Sequence, residues 1–168
     1  MKSFTLVTAI TLLVIGTLTN SITTMETQNE TQKITQTINK LFVYTDEQEW
    51  EKLQHQVFTE EVWLDMSSLG GPKETMKATD ITSMWAEAYT SIDAVNHLGG
   101  NYIIDIEDDH AKVFAYATAT QYKEAATEGK TREFVGTYNL ELRKENGQWK
   151  LYSFQYNLKY MTGNIEFK

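Results

Sequence analysis

The sequence predicts an α+β fold in which helices precede a run of long antiparallel strands. Apolar residues recur at helical spacing up to about residue 92 and at a period of two after residue 95. The clusters "EDDH" (107–110) and "TEGK" (127–130), with the pair Asn146-Gly147, cut the second half into strand-length pieces. Helices segregated from strands indicate α+β rather than alternating architecture. A long twisted sheet curled over helices leaves a concave face, which encloses an apolar pocket with a few polar groups. The expected molecule is a cone-shaped, curved antiparallel sheet packed on about three N-terminal helices.

Taken in order, Lys2 precedes "FTLVTAITLLVIG", and no further charge appears until Glu26. A basic start with an apolar centre of this length predicts a secretory signal over residues 1–21. The apolar run is interrupted by threonines and is short for a membrane span, so an uncleaved anchor is the alternative. The processed chain is expected to be periplasmic or secreted, without stable membrane insertion. Residues 22–33, rich in Thr, Gln and Glu, are expected as a flexible lead-in to a domain over 34–162.

Ile34, Ile38, Leu41 and Phe42 mark one face of a first helix. Thr45 followed by Gln48 reads as a capping box, placing the start of a second helix at Asp46. Trp50, Leu53 and Val57 give that helix its inward face, with His55 outside it. "EVWLDMSS" (61–68) predicts a short strand, and the Gly-Gly-Pro of "LGGPKETMKA" a loop. Ile81, Met84, Trp85, Ala88, Tyr89 and Ile92 predict an amphipathic helix over 79–92. Strands are expected at 97–106, 111–124, 132–144 and 148–160, with Asn146-Gly147 closing a hairpin. Phe134, Tyr138, Leu140 and Leu142 share one strand face.

Composition narrows the function. A chain of 168 residues suits one domain with a sizeable core. Its net charge of −8 argues against nucleic acid, whose phosphates need a basic patch. The absence of cysteine rules out disulfides and thiolate chemistry, and three scattered histidines make a structural zinc site unexpected. No metal or other cofactor is predicted. Nine tyrosines and four tryptophans supply aromatic cavity walls.

The stretch "AVNHLGGNY" (94–102) places His97 between an apolar helix and an apolar strand. An imidazole titrates near neutrality and can give and take protons, so His97 is a candidate general acid/base. It equally suits a turn, hydrogen-bonded to a backbone carbonyl. Asp46 fits the first turn of a helix by charge alone. Asp65, before a Ser-Ser pair, fits a turn. His110, after "EDD", reads as solvated. The Ala115, Ala117, Ala119 face suits either close helix packing or room for a ligand.

Three local patterns carry a resemblance: "YTDEQEW" (44–50), "WLDMSS" (63–68) and "NHLGGNY" (96–102). In this order and spacing they resemble the SnoaL-like branch of the nuclear transport factor 2-like superfamily, and scytalone dehydratase-like members in particular. The resemblance covers roughly residues 31–160. It implies that Asp46 and His97 correspond to an Asp and a His near the substrate, the carboxylate orienting the imidazole. Two features depart from it. The stretch "AYATATQYK" (115–123) lacks a second pocket histidine, and Thr45 and Met66 stand where such enzymes place tyrosines.

The resemblance implies cofactor-independent proton transfer on a small apolar molecule, by dehydration, isomerisation or cyclisation. His97 and Asp46 are then the catalytic pair, with Tyr44 as a hydrogen-bond donor. Trp85, Tyr89, Asp65, Met66, Phe134 and Tyr138 are the expected substrate contacts. A non-catalytic ligand-binding or dimeric interaction domain is the alternative. A homodimer through the outer sheet face is expected from the resemblance and from the aromatic final strand "LYSFQYNLKY".

Overall fold

The structure is a computed structural model that describes the backbone of residues 4–168 and the side chains of residues 25–168. The chain divides into two compact units, Met1–Lys33 and Ile34–Lys168. Helix α1 runs Phe4–Asp46 and crosses that boundary. Residues 22–33, expected as a flexible lead-in, are helical within it. The side chains of the expected export signal, residues 1–21, lie outside the described residues. Among the described residues no helix is long and apolar enough to cross a membrane.

In the second unit, Ile34, Ile38, Leu41 and Phe42 all turn into the core, as their spacing predicts. A short helix α2, Trp50–Lys52, continues into a π-helical turn at Leu53–Val57 that buries Leu53 and Val57. Strand β1 is Phe58–Asp65, and β2 is Lys73–Lys77. The sequence reading gave the latter stretch to a loop. β2 is a short edge strand whose residues are mostly exposed, so it carries no apolar alternation to detect. Helix α3, Ala78–Tyr89, buries Ile81 and Trp85.

Four long strands complete the sheet: β3 (Ala94–Glu107), β4 (His110–Tyr122), β5 (Thr131–Glu145) and β6 (Gln148–Gly163). The β5–β6 hairpin turns at Asn146 and Gly147, both with positive φ (52° and 78°), the geometry that Asn-Gly favours. Strand order is β2-β1-β6-β5-β4-β3. β1 pairs with β6 in parallel, so the sheet is mixed rather than wholly antiparallel. The three helices pack on this curved, unclosed six-stranded sheet.

The register sorts the two faces. His97, Ala119 and Phe134 form one cross-strand row on the inner face. Leu98, Thr118, Val135 and Tyr160 form the adjacent row on the outer face. Beyond β6, residues 164–168 fold back: the Lys168 carbonyl accepts from the backbone N–H groups of Thr127 and Glu128. Phe167 packs with Ile92 and Ala126. The ordered domain therefore continues past the expected boundary at 162.

Candidate functional site

Asp46 ends a helix instead of starting one. Gln48 adopts the left-handed conformation (φ 54°), its N–H reaching the Thr45 carbonyl and that of Glu49 the Tyr44 carbonyl. This pair of bonds is a Schellman stop. Thr45 returns its hydroxyl to the Leu41 carbonyl and caps nothing. The capping-box reading failed because glutamine took the position usually held by glycine. A carboxylate in the last helical turn faces the negative end of the dipole. The first-turn explanation for Asp46 is thus removed, and its carboxylate needs donors from elsewhere.

His97 supplies both. Its backbone N–H donates to Asp46 Oδ2 at 2.8 Å, and its ring Nδ1 lies 2.5 Å from Asp46 Oδ1. An ionised carboxylate only accepts, so Nδ1 carries the proton, and in the neutral ring Nε2 holds the lone pair. The two side chains are 8% and 11% exposed, so little water competes. The Phe42 ring stacks on the imidazole with centroids 5.5 Å apart. Gly99, two residues along β3, makes room for that ring, since a Cβ there would overlap Phe42 Cε2.

His97 lines a cavity of about 210 Å³ between the sheet and the helices. Trp85, Tyr89, Met66, Phe134 and Tyr138 line it too. The alanine face of β4 does both jobs open to it: Ala115 and Ala117 are core, while Ala119 lines the cavity.

Two expected residues stand elsewhere. The Tyr44 hydroxyl donates to Gln56 Oε1 at 3.1 Å, and the side chain is not part of the cavity lining. Its position in the last turn of α1 turns it away from the face that carries Leu41, Phe42 and Thr45. Asp65 accepts from the Ser67 hydroxyl (2.6 Å), the Ser67 N–H (3.1 Å) and Gln155 (3.1 Å), and pairs with Lys73 (3.0 Å). The Ser67 hydroxyl and then Lys73 hold its carboxyl well below the usual range. Asp65 fastens a turn and does not face the cavity. His55 and His110 are exposed.

Three polar residues at or beside the cavity were not singled out by the sequence. Gln121 continues the inner face of β4 two residues beyond Ala119, so alternation could have found it. Arg132 Nε donates to Gln121 Oε1 at 2.8 Å, and Nη1 to the Ile165 carbonyl at 2.6 Å. The guanidinium lies over Phe134 and over Phe167 of the folded-back tail. An arginine only donates, so Gln121 Oε1 faces Arg132 and the amide NH₂ group is left for other partners, with Tyr89 on the same cavity wall. Burial first, then the charge of Asp46, raises the Tyr89 phenol far above its ordinary value, against the Gln121 bond. The third is Tyr156, whose phenol burial pushes up to about 12. Both phenols therefore stay protonated donors at neutral pH. Among the described residues no cluster of metal-ligating side chains occurs.

A model of the SnoaL-like domain family matches residues 26–155. The chain belongs to that family. Within it lie the Asp46–His97 pair, Gln121 and the cavity lining apart from Tyr156, while the β6 end and the tail lie beyond the match. No curated protein matches the chain. The Kfla4162 protein from Kribbella flavida superposes with TM-score 0.77 at 21% identity, covering 81% of this chain and 95% of that one. A candidate scytalone dehydratase from Novosphingobium aromaticivorans gives 0.67 at 20%, covering 81% and 88%. The hexachlorocyclohexane dehydrochlorinase LinA-type3 from Novosphingobium barchaimii gives 0.68 at 14%, covering 84% and 94%. Identities this low establish the shared fold: the SnoaL-like, nuclear transport factor 2-like cone.

Proposed function

We propose that this SnoaL-like protein catalyses cofactor-independent proton transfer on a small, largely apolar molecule, an elimination in the first instance. The observation that supports it most is the double contact between Asp46 and His97 at the wall of an apolar cavity. Nε2 of His97 takes a proton from a substrate carbon. The C–H electrons form the new double bond, and the bond to a leaving hydroxide or halide breaks. Asp46 steadies the imidazolium in between. For a dehydration, the imidazolium returns the same proton to the leaving oxygen, releasing water. One imidazole acting twice needs no second histidine, in keeping with Gln121 standing in the stretch 115–123. Tyr89, rather than Tyr44, donates its O–H to a substrate oxygen. A candidate dehydratase and a dehydrochlorinase among the similar folds both point to eliminations.

The test is a panel of bicyclic β-hydroxyketones and alicyclic halides, followed by NMR in deuterated water. Product or C–H exchange should appear, vanish in His97→Gln, and survive in Tyr44→Phe. Ligand binding without turnover or exchange across the panel would establish the second reading, a non-catalytic binding domain. The missing second histidine favours that reading.

The same proposal includes export and self-association. Residues 1–21 act as a cleaved signal, and the processed protein is periplasmic or secreted. N-terminal sequencing from an exporting host checks this, and a processed chain that still begins at Met1 refutes it. A second copy covers the outer face of the sheet.

A further inference from the structure

Among the described residues, two buried side-chain polar atoms have no hydrogen-bond partner: the indole N–H of Trp85 and the phenol O–H of Tyr156. Both side chains are more than nine-tenths buried, at 8% and 5% exposure, and both line the cavity. Buried polar groups are nearly always paired, because leaving one unmet costs free energy. An indole nitrogen is a donor only, and a protonated phenol offers a donor, so what is missing is an acceptor.

The placement of the two donors is informative. Trp85 contacts Phe154 (centroids 5.6 Å apart), Phe154 contacts Tyr138 (5.5 Å), and Tyr138 contacts Tyr156 (5.0 Å). This run of rings meets Phe42 through Tyr138 (5.3 Å), and Phe42 stacks on His97. His97 and the two unmet donors therefore hold different parts of one aromatic wall. Gly136 makes space for the phenol, since a Cβ there would come within 2.5 Å of Tyr156 Oη. The cavity, about 210 Å³, exceeds the ~150 Å³ that accommodates a single benzene ring.

We infer that the cavity takes an apolar molecule of one to two rings bearing an accepting oxygen, such as a ketone, with Trp85 Nε1 and Tyr156 Oη as the donors available to it. This deepens the proposed function by naming the substrate class. It rests on the cavity as a ligand site, not on the proton transfer at His97.

The probes are 1-tetralone and tetralin, which share a skeleton and differ by the carbonyl. Calorimetric titration of the full chain should show tetralone binding about tenfold tighter, the contribution of one hydrogen bond. The Trp85 indole N–H resonance, assigned through Trp85→Phe, should move downfield with tetralone and not with tetralin. Tyr156→Phe, which keeps the ring and removes only the hydroxyl, should reduce the preference even if Trp85→Phe folds poorly. Tyr44→Phe, whose side chain lies outside the cavity, should retain it, and because the titration reads binding alone, loss of turnover at His97 is a separate result. Equal affinities, a preference untouched in Tyr156→Phe with an unmoved indole resonance, or a preference lost in Tyr44→Phe would overturn it. Failure of both probes to bind would overturn the ring-sized skeleton.

Discussion

Asp46 holds His97 at two points, accepting the backbone N–H at 2.8 Å and facing ring Nδ1 at 2.5 Å, although the residues are 51 apart in sequence. The backbone contact fixes where β3 passes the end of α1. The ring contact fixes the tautomer. One carboxylate thus joins the fold to the chemistry.

Replacing Asp46 by Asn keeps the shape and removes the obligate acceptor. Turnover should fall roughly 10²-fold or more if the pair is a general acid/base unit. Nitrogen NMR should show the proton leaving Nδ1 in part of the population. Thermal stability should fall much less than turnover, because asparagine also relieves a carboxylate at the negative helix end. Unchanged turnover and an unchanged tautomer in a folded variant would remove His97 from the mechanism.

Gly99 is the second support of the imidazole. In Gly99→Ala the new methyl overlaps Phe42 and lies 3.0 Å from the Tyr102 hydroxyl. Overpacking of this kind costs about 1–3 kcal/mol. The displaced Phe42 should release His97, so turnover falls along with the melting temperature. Gly100→Ala is the control, because nothing lies within 4 Å of its Cβ. Equal effects at both positions would contradict the stacking argument.

Much of this site could be read in the sequence, and the misses have physical causes. The period of two placed Phe134 and Tyr138 on the inner face, and the helical spacing placed Trp85 and Tyr89 towards it. Thr45 and Asp46 read as a helix start, because a glutamine in left-handed conformation hides a helix stop. The role of Arg132 depends on Gln121 and on the folded-back tail, contacts that no local pattern encodes. β2 was invisible because an exposed edge strand has no need of alternation.

Asp65 should contribute to acid stability. Its carboxyl titrates lower in the folded chain than in the unfolded one, where it lies near ~3.9. Its contribution is therefore present above about pH 4 and is lost as the pH falls through the folded value. Urea unfolding at a series of pH values should show wild-type stability falling on the acid side of pH 4. Asp65→Asn should be less stable at pH 7 and show a shallower acid decline. Because the Ser67 hydroxyl outweighs Lys73 as the cause, 1 M salt should leave most of the effect in place. A variant with an identical acid limb would assign the acid sensitivity to other carboxylates.

The outer row Leu98, Thr118, Val135 and Tyr160 crosses four strands, with Leu98 72% and Tyr160 57% exposed. Ile103, at 62%, and Tyr116, at 39%, add to the apolar surface, with Phe114 packed edge-on against Tyr116. An exposed apolar face of this kind on a folded domain marks an interface. An isologous interface pairs one surface with itself, so an identical copy related by a two-fold axis is the occupant expected on this face. Sedimentation of the wild type at micromolar concentration should therefore give a dimer. Leu98→Glu and Tyr160→Glu each place a charge in the row, on the face opposite His97, and should give monomers that keep the cavity and its ligand. A wild type that sediments as a monomer at that concentration, or charged variants that remain dimeric, would move the interface away from this face.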